Sequence, residues 1–434
     1  MHSTTRQNHL HVLLLIPFTL MRTSTLFLIA ALAVTSVDGA WYQQSDGTIV
    51  DPILDIHGRA HPYSGNNFEP GAQLIGASVF WADLNHADLA GALLTFAWLR
   101  YSDLNNADLS FAALADTHLE STDLHNANLT GANLTGANLN DANLWTANLS
   151  EANLHDARLG GVNLRGANLA GTDLTEAWIQ TANLSGVWAH GANFSNAILE
   201  NSDLSFATMY EFVDGHSSFA NFSGANMDSV NLTGANLEKV VLSQANLTGA
   251  NLTDAWLKFA DLTSTGLIQA NLTEAYLDQA HLASANLTDA NLSGADAGRA
   301  DFNGANLWLA DLHGTNLEYA DLANTNLTNA DLTDASLSGV HSGGITGIPS
   351  ALPPHWQLYH GYLIGPYADL VEAELNNANV AAANLTAAKL QRAEMALADL
   401  SDADMSSADM SEANMSGANM SGANMSYANP ALPI

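Results

Sequence analysis

Sixteen histidines and 44 aspartates and glutamates are the side chains of this 434-residue chain that could carry chemistry. Their spacing points away from it. The histidines are scattered, and His86, His125, His155 and His313 each follow a leucine by one or two positions. No His-Glu-x-x-His, no Gly-x-Ser-x-Gly, no phosphate-binding loop and no Gly-x-Gly-x-x-Gly leading into a helix occurs. The chain has no cysteine, which excludes disulfides, zinc thiolates and cysteine nucleophiles. Asp and Asn recur at regular intervals, whereas acid–base catalysis needs two carboxyls pushed apart in pKa inside a cleft. The Gly-Gly-x-Gly-x-Asp calcium repeat is missing too. The sequence therefore assigns no catalytic residue, no cofactor site and no metal site.

The charge narrows the partners. Eleven Lys and Arg face 44 Asp and Glu, a net charge of −33. Direct nucleic-acid binding needs clustered cations and is not expected. Such a surface suits solubility, cation association or mimicry of a polyanion.

What positions these side chains is a five-residue period. The unit is Ala-(Asp/Asn)-Leu-x-x, as in Ala127-Asn128-Leu129-Thr130-Gly131. We call the Leu position the centre and the Ala position, two before it, the small site. Centres run from Leu74 to Met209, from Phe222 to Leu337 and from Leu370 to Met425. A period of five fits neither a helix nor a flat strand. Small site and centre, two apart, point the same way in extended backbone. The residues after the centre (Ser, Thr, Gly, Asn and Asp) must turn a corner. One coil cannot bury its own core, but stacked coils can.

The repeat resembles that of the pentapeptide-repeat family. The resemblance implies an all-β fold: a right-handed quadrilateral (four-sided) β-helix solenoid with about four units per coil. The first two runs would then form about 13 coils, roughly 60 Å long at one strand spacing per coil. A further repeat segment would follow a loop insertion. Burial of each Leu, worth about 1.5–3 kcal/mol, would dominate the stability.

Residues 1–40 read as a targeting segment, with Met21 a candidate start followed by a basic, then apolar, then small-residue sequence. Neither of its apolar runs reaches the length of a membrane span, so no transmembrane span is expected in the mature chain. Residues 41–71 would cap the first coil, and 72–209 and 219–340 form the main stack. Between them, 210–218 breaks the phase. Either two residues are missing, with Phe212 and Ser217 as cramped centres, or three are inserted, giving a kink or bulge near Val213-Asp214-Gly215. Residues 341–367 carry four prolines and a tryptophan and no Ala-Asn-Leu unit. They are either a folded excursion or a linker. A Met-rich run, 368–429, and a tail, 430–434, complete the chain. The Met centres read as core filler.

If four units make a coil, residues twenty apart share a face. One face then reads Ser78, Trp98, His118, Asn138, Arg158, Trp178, Ile198, nearly free of acids. The sequence thus marks a candidate interaction stripe of Trp81, Trp98, Arg100, Tyr101, His118, Arg158 and Trp178, continued by Trp256 and Tyr276 if Phe212 and Ser217 each occupy a side, with those two one side away if three residues are inserted. An unidentified protein or a second copy of the chain is the expected partner.

Two functions fit. The first is an exported structural or protein-interaction scaffold without catalysis, secreted, periplasmic or at the cell surface after signal cleavage. The second comes from the resemblance, which implies that some members imitate duplex DNA and bind a type II topoisomerase.

Overall fold

The computed structural model describes residues 40–213 and 216–430. The targeting segment expected at 1–40 and the tail at 430–434 fall, but for residues 40 and 430, outside the described residues. No helix occurs among the described residues, and so none long and apolar enough to cross a membrane.

The unit at Ala127–Gly131 shows why these residues build a coil. Ala127 and Leu129 point inward and are fully buried. Asn128, between them, bridges Asp108 in the coil before and Asn148 in the coil after, both in parallel. Its N–H donates to Ala107 O at 2.9 Å, and Leu129 N–H donates to Asn148 O at 2.7 Å. The corner is a tight turn closed by Ala132 N–H donating to Leu129 O at 3.0 Å, while Gly131 N–H reaches Ser150 O at 2.9 Å. One donor is left, the Thr130 N–H. The Asn128 side chain takes it, Oδ1 accepting at 3.2 Å. Every buried backbone donor needs a partner, and Asp or Asn before the centre supplies one by an Asx turn. The acidic period is thus a structural device first.

The second corner residue sits in left-handed backbone, where glycine is cheapest. Gly131 has φ of 64°. A side chain there would also strike the Phe111 ring of the preceding coil, its Cβ only 2.7 Å away.

Parallel bridges join residues twenty apart along four ladders, beginning at Gln73, Ser78, Asp83 and Asp88. Four units therefore make one coil. Where Asn meets Asn or Asp on a ladder, the amide also donates to the neighbouring coil. Asn143 Nδ2 donates to Asp123 Oδ1 at 2.9 Å, and Asn143 Oδ1 accepts from Asn163 Nδ2 at 2.9 Å. Replacing Asn143 by Asp removes the first donor and stacks a carboxylate on Asp123. We expect a loss of about 0.5–1 kcal/mol at neutral pH, smaller in high salt. Urea unfolding of the variant at two ionic strengths measures it.

The centres form one continuous Leu core from the cap to Leu363. Polar small sites are satisfied inside it: Thr122 Oγ1 donates to Leu99 O at 3.0 Å and Ser102 Oγ to Val79 O at 2.8 Å. Two centres carry Ala, Ala189 and Ala297, and the next centre in each case is Phe, Phe194 and Phe302; all four are fully buried. Phe fills the axis where its neighbour leaves room.

At the head, β1 (Tyr42–Gln43) pairs with β2 (Ile49–Val50), and β3 (Leu54–Asp55) pairs antiparallel with β4 (Ala82–Asp83) of the first coils. Tyr42, Ile53 and Phe68 are buried at the end of the Leu core.

The break near residue 210 is neither two missing residues nor three inserted ones. β5 (Tyr210–Val213) and β6 (His216–Phe219) form an antiparallel hairpin. The bridge that should join residues twenty apart joins Asn193 to Asn221, 28 apart. Eight residues leave the coil, and the stack resumes in register. Phe212 and Ser217 are thus partners across the hairpin and not centres.

The second break also differs from a simple excision at 341–367. Thr346 and Ala351 still bridge Asn326 and Asp331, so coil geometry persists to Ala351. Ser342 is buried at a centre position beside the hairpin, whereas Gly347, at the next centre count, is exposed in left-handed backbone and has left the core. β7 (Gln357–Tyr359) and β8 (Tyr362–Ile364) form a hairpin. Leu363 N–H donates to Ser342 Oγ at 3.0 Å, and Ile345 N–H to Gly361 O at 3.2 Å. On its other side Tyr362 Oη accepts from Glu374 N–H at 3.2 Å, and Tyr359 Oη donates to Asn377 O at 3.2 Å. The hairpin is thus a plug between coils. Only the Gln73 ladder passes it, from His341 to Asp369. A second core begins at Ile364, and Trp356 packs on both cores.

In the last run Met395, Met405 and Met410 are buried core residues, while Met420 is exposed. Here Asp399, Asp404 and Asp409 accept from Asn419, Asn424 and Asn429 at 2.9–3.0 Å. Hydrogen bonds from Ser401 (hydroxyl first), and from Ser406 and Ser411 (backbone N–H first), hold these three carboxyls below the ordinary carboxylate range. A depressed folded value means that their stabilisation is complete above an unfolded value of about 3.9 and fades as pH falls toward the folded values. Amide protection factors over 369–429, referred to the intrinsic exchange rate at each pH, should fall on acidification below about pH 4 before those of the Leu-centred coils.

Candidate interaction face

The bridge register assigns six of the nine residues of the expected stripe to a ladder, and Trp81, Arg100 and Tyr101 stand at the corner that follows the Ser78 ladder. Trp98, His118, Arg158 and Trp178 lie on the Ser78 ladder, with Ser78, Asn138 and Ile198. None of these positions carries a carboxylate, and the Asp83 ladder beside it reads Asp83, Asp103, Asp123, Asn143, Asn163, Asn183, Asp203.

Seven of the nine expected residues share this side of the stack, and five of them are brought into contact. Trp98 and His118 stack with centroids 3.9 Å apart. The Arg100 guanidinium lies 5.0 Å from the Trp98 ring centroid. Arg100 also donates twice to Glu120, Nε to Oε2 at 2.7 Å and Nη2 to Oε1 at 2.6 Å. Asn138 Nδ2 donates to the same Oε1 at 2.7 Å. At the adjoining corner Trp81 and Tyr101 stack at 4.4 Å with ring planes 14° apart. Cation–π and bidentate contacts hold these side chains in one conformation. Arg158 and Trp178 bridge each other two to four coils further along, at 158↔178.

Trp256 and Tyr276 are not on this side. The hairpin removes eight residues from the count, so both fall on the Asp88 ladder, two ladders away in chain order, through Trp188, Thr208 and Asn236. Their rings lie 5.7 Å apart. The stripe is therefore two patches. Trp188, half-exposed or more at 58%, belongs to the second and escaped sequence reading. Glu120 and Asn138 escaped it as well, since nothing in their spacing reveals that they brace Arg100.

The first patch carries backbone cost. Trp81 and Tyr101 occupy left-handed corners at φ of 63° and 60°, a conformation bulky residues rarely adopt. Trp98 also has no oxygen to accept the Arg100 N–H, as an Asx residue would. Left-handed corners recur along the whole stack, at Phe96, Phe111, Phe206 and Tyr319 among others, so the backbone does not set this patch apart.

Beside this patch, between cap and first coils, lies a hollow of about 450 Å³ lined by Asp55, His57, Arg59, His61, Pro62, Ser78, Phe80 and Trp81. Phe80 O accepts from His61 Nε2 at 2.7 Å, and His61 Nδ1 accepts the Tyr63 N–H at 3.1 Å. Among the described residues no group of three or more His, Asp or Glu is placed to hold a metal ion.

The molecule is thus a β-solenoid of five-residue units whose expected stripe divides between two ladders. The pentapeptide-repeat family profile ("Pentapeptide repeats") matches it in successive segments from 72–110 to 398–429, with the widest gap at 342–366. The chain belongs to the pentapeptide-repeat family. Among solved structures, it is similar to HetL, a pentapeptide repeat protein involved in heterocyst differentiation regulation from the cyanobacterium Nostoc sp. strain PCC 7120. That match has 30% identity over 56% of this chain and 88% of the other, with a TM-score of 0.24. It is similar at 18% identity to QnrB1, a plasmid-mediated fluoroquinolone resistance protein, over 50% of this chain and 85% of that one, TM-score 0.24. A thylakoid-lumen pentapeptide repeat protein of Arabidopsis thaliana is 26% identical over 25% of this chain and 66% of its own, TM-score 0.14. No curated protein sequence matches.

Proposed function

We propose that the chain is an exported, non-catalytic scaffold: a right-handed, four-sided rod of about 13 coils followed by a plugged C-terminal segment. Its contact face is the Ser78 ladder, and its partner is a protein surface or a second copy of the chain. One observation carries this reading. Trp81, Trp98, Arg100, Tyr101 and His118 form a braced, exposed aromatic–Arg cluster on the ladder that lacks carboxylates. Interface centres favour aromatic residues and Arg and exclude acids.

Replacing Trp98 and Trp178 together by Ala should change oligomeric state or abolish partner capture, with melting shifted by only a few degrees, since both side chains are exposed. Light scattering and affinity capture measure it. Unchanged association and capture would reject the face.

A second reading has its own observation. Asp83, Asp103 and Asp123 stack on one ladder and Asp88 and Asp108 on the next, in a chain of net charge −33. Such columns would suit a duplex-DNA mimic that binds a type II topoisomerase. Cell fractionation separates the two: an exported, processed chain supports the scaffold, and an unprocessed cytoplasmic chain supports mimicry.

A further inference from the structure

We infer that the hollow between the cap and the first coils is a binding site for a neutral sugar ring, adjoining the contact face and sharing Ser78 and Trp81 with it. The hollow has two unlike walls. One is aromatic, from Phe80 and Trp81. Tyr101 covers one face of the Trp81 indole and is absent from the lining, which leaves the other face to the hollow. An aromatic face is electron-rich and receives the C–H-bearing face of a pyranose.

The rest of the lining is mostly polar, and its Asp55 and Arg59 are paired. Asp55 Oδ1 accepts the N–H groups of His57 and Arg59, both at 2.9 Å, and Oδ2 accepts Arg59 Nε at 2.7 Å. Arg59 lines the hollow with its side chain 73% exposed and its charge paired with Asp55. With His57 and Ser78 it offers donors and acceptors at fixed places, as hydroxyl groups require.

The walls are held rigidly to each other. The β3–β4 pairing joins Leu54 to Asp83 and Asp55 to Ala82, and Ile56 N–H donates to Trp81 O at 2.8 Å. Cap and coil thus present the two walls without rearrangement, which lowers the entropy lost on binding. Competing ligands fit less well. A cation would meet Arg59, and an anion would meet a balanced ion pair on a chain of charge −33. A metal lacks ligands among the described residues. The volume of about 450 Å³ suits one or two sugar rings.

The test titrates the full chain with methyl glucoside, methyl galactoside, cellobiose, maltose and diacetylchitobiose, with glucuronate as the charged control, following tryptophan fluorescence and heat. We expect saturable binding of at least one neutral sugar. Trp81→Ala and Arg59→Ala should each weaken it roughly tenfold or more, with no such loss for Trp98→Ala/Trp178→Ala. Arg59 is surface-exposed, so its variant remains folded by circular dichroism and reports on the site itself. The inference is overturned if no neutral sugar saturates by about 10 mM, if glucuronate binds as well as the best neutral sugar, or if the Arg59 variant binds like the parent. Those outcomes leave the contact face untouched, since its test reads association through Trp98 and Trp178.

Discussion

Replacing Leu144 by Asp should abolish stable folding of the coils around it, at a cost of about 5 kcal/mol or more. Leu144 is fully buried at a centre. Its neighbours along the axis are other Leu and Ala side chains, and none offers a donor to a carboxylate. Because each coil contacts only its neighbours, the loss should spread as local melting rather than remain a point defect. Leu144→Ala removes the same contacts without burying a charge and should cost about 2–5 kcal/mol. Amide exchange resolved along the chain distinguishes these outcomes. Protection should fall first within a coil or two of residue 144, while the second core, beyond the plug, keeps its own.

Phe302→Ala is the second large effect, expected at about 3–5 kcal/mol. Phe302 is fully buried, and the preceding centre is Ala297, so truncation leaves two small centres in succession on one coil. The cavity cannot collapse by rotation of a neighbouring Leu on that side. If Phe302 compensates Ala297, the pair is coupled. Ala297→Leu alone should overpack the axis and cost about 1–3 kcal/mol, yet in the Phe302→Ala background it should recover stability. A double-mutant cycle reads the coupling directly. Additive costs would show that the two centres fill separate space.

These effects follow from a pattern largely legible in the residues. Small sites and centres announce themselves by composition, and the twenty-residue register follows once each unit is one side of a coil. The reason for Asp or Asn before each centre was not legible. It lies in the one donor the corner leaves over, such as the Thr130 N–H taken by Asn128.

The hairpin at Tyr210–Phe219 could not be counted from phase alone. Eight extra residues and three shift a five-residue pattern by the same amount. That ambiguity moved Trp256 and Tyr276 onto the wrong face. In the second break, coil backbone from His341 to Ala351 is disguised because Ser342 replaces a large centre where β8 packs and Gly347 turns out of the core, and loss of the Leu signal reads as loss of the coil. The Trp81 corner shows the limit of face counting in another way: its indole belongs both to the stack on Tyr101 and to the hollow built by the cap, and the β3–β4 pairing and the Ile56 N–H to Trp81 O bond that bring that cap to it have no trace in the repeat.

The most direct test of the contact face is site-specific photo-cross-linking in the source cells. A benzoylphenylalanine is placed at position 98 on the Ser78 ladder or at position 163 on the Asp83 ladder, each outward and each bridged on both sides. A discrete cross-linked product, to a partner or a second copy, should form from position 98 and not from position 163. Cross-linking from position 163 with none from position 98 would contradict it and place the contact on the acidic ladder.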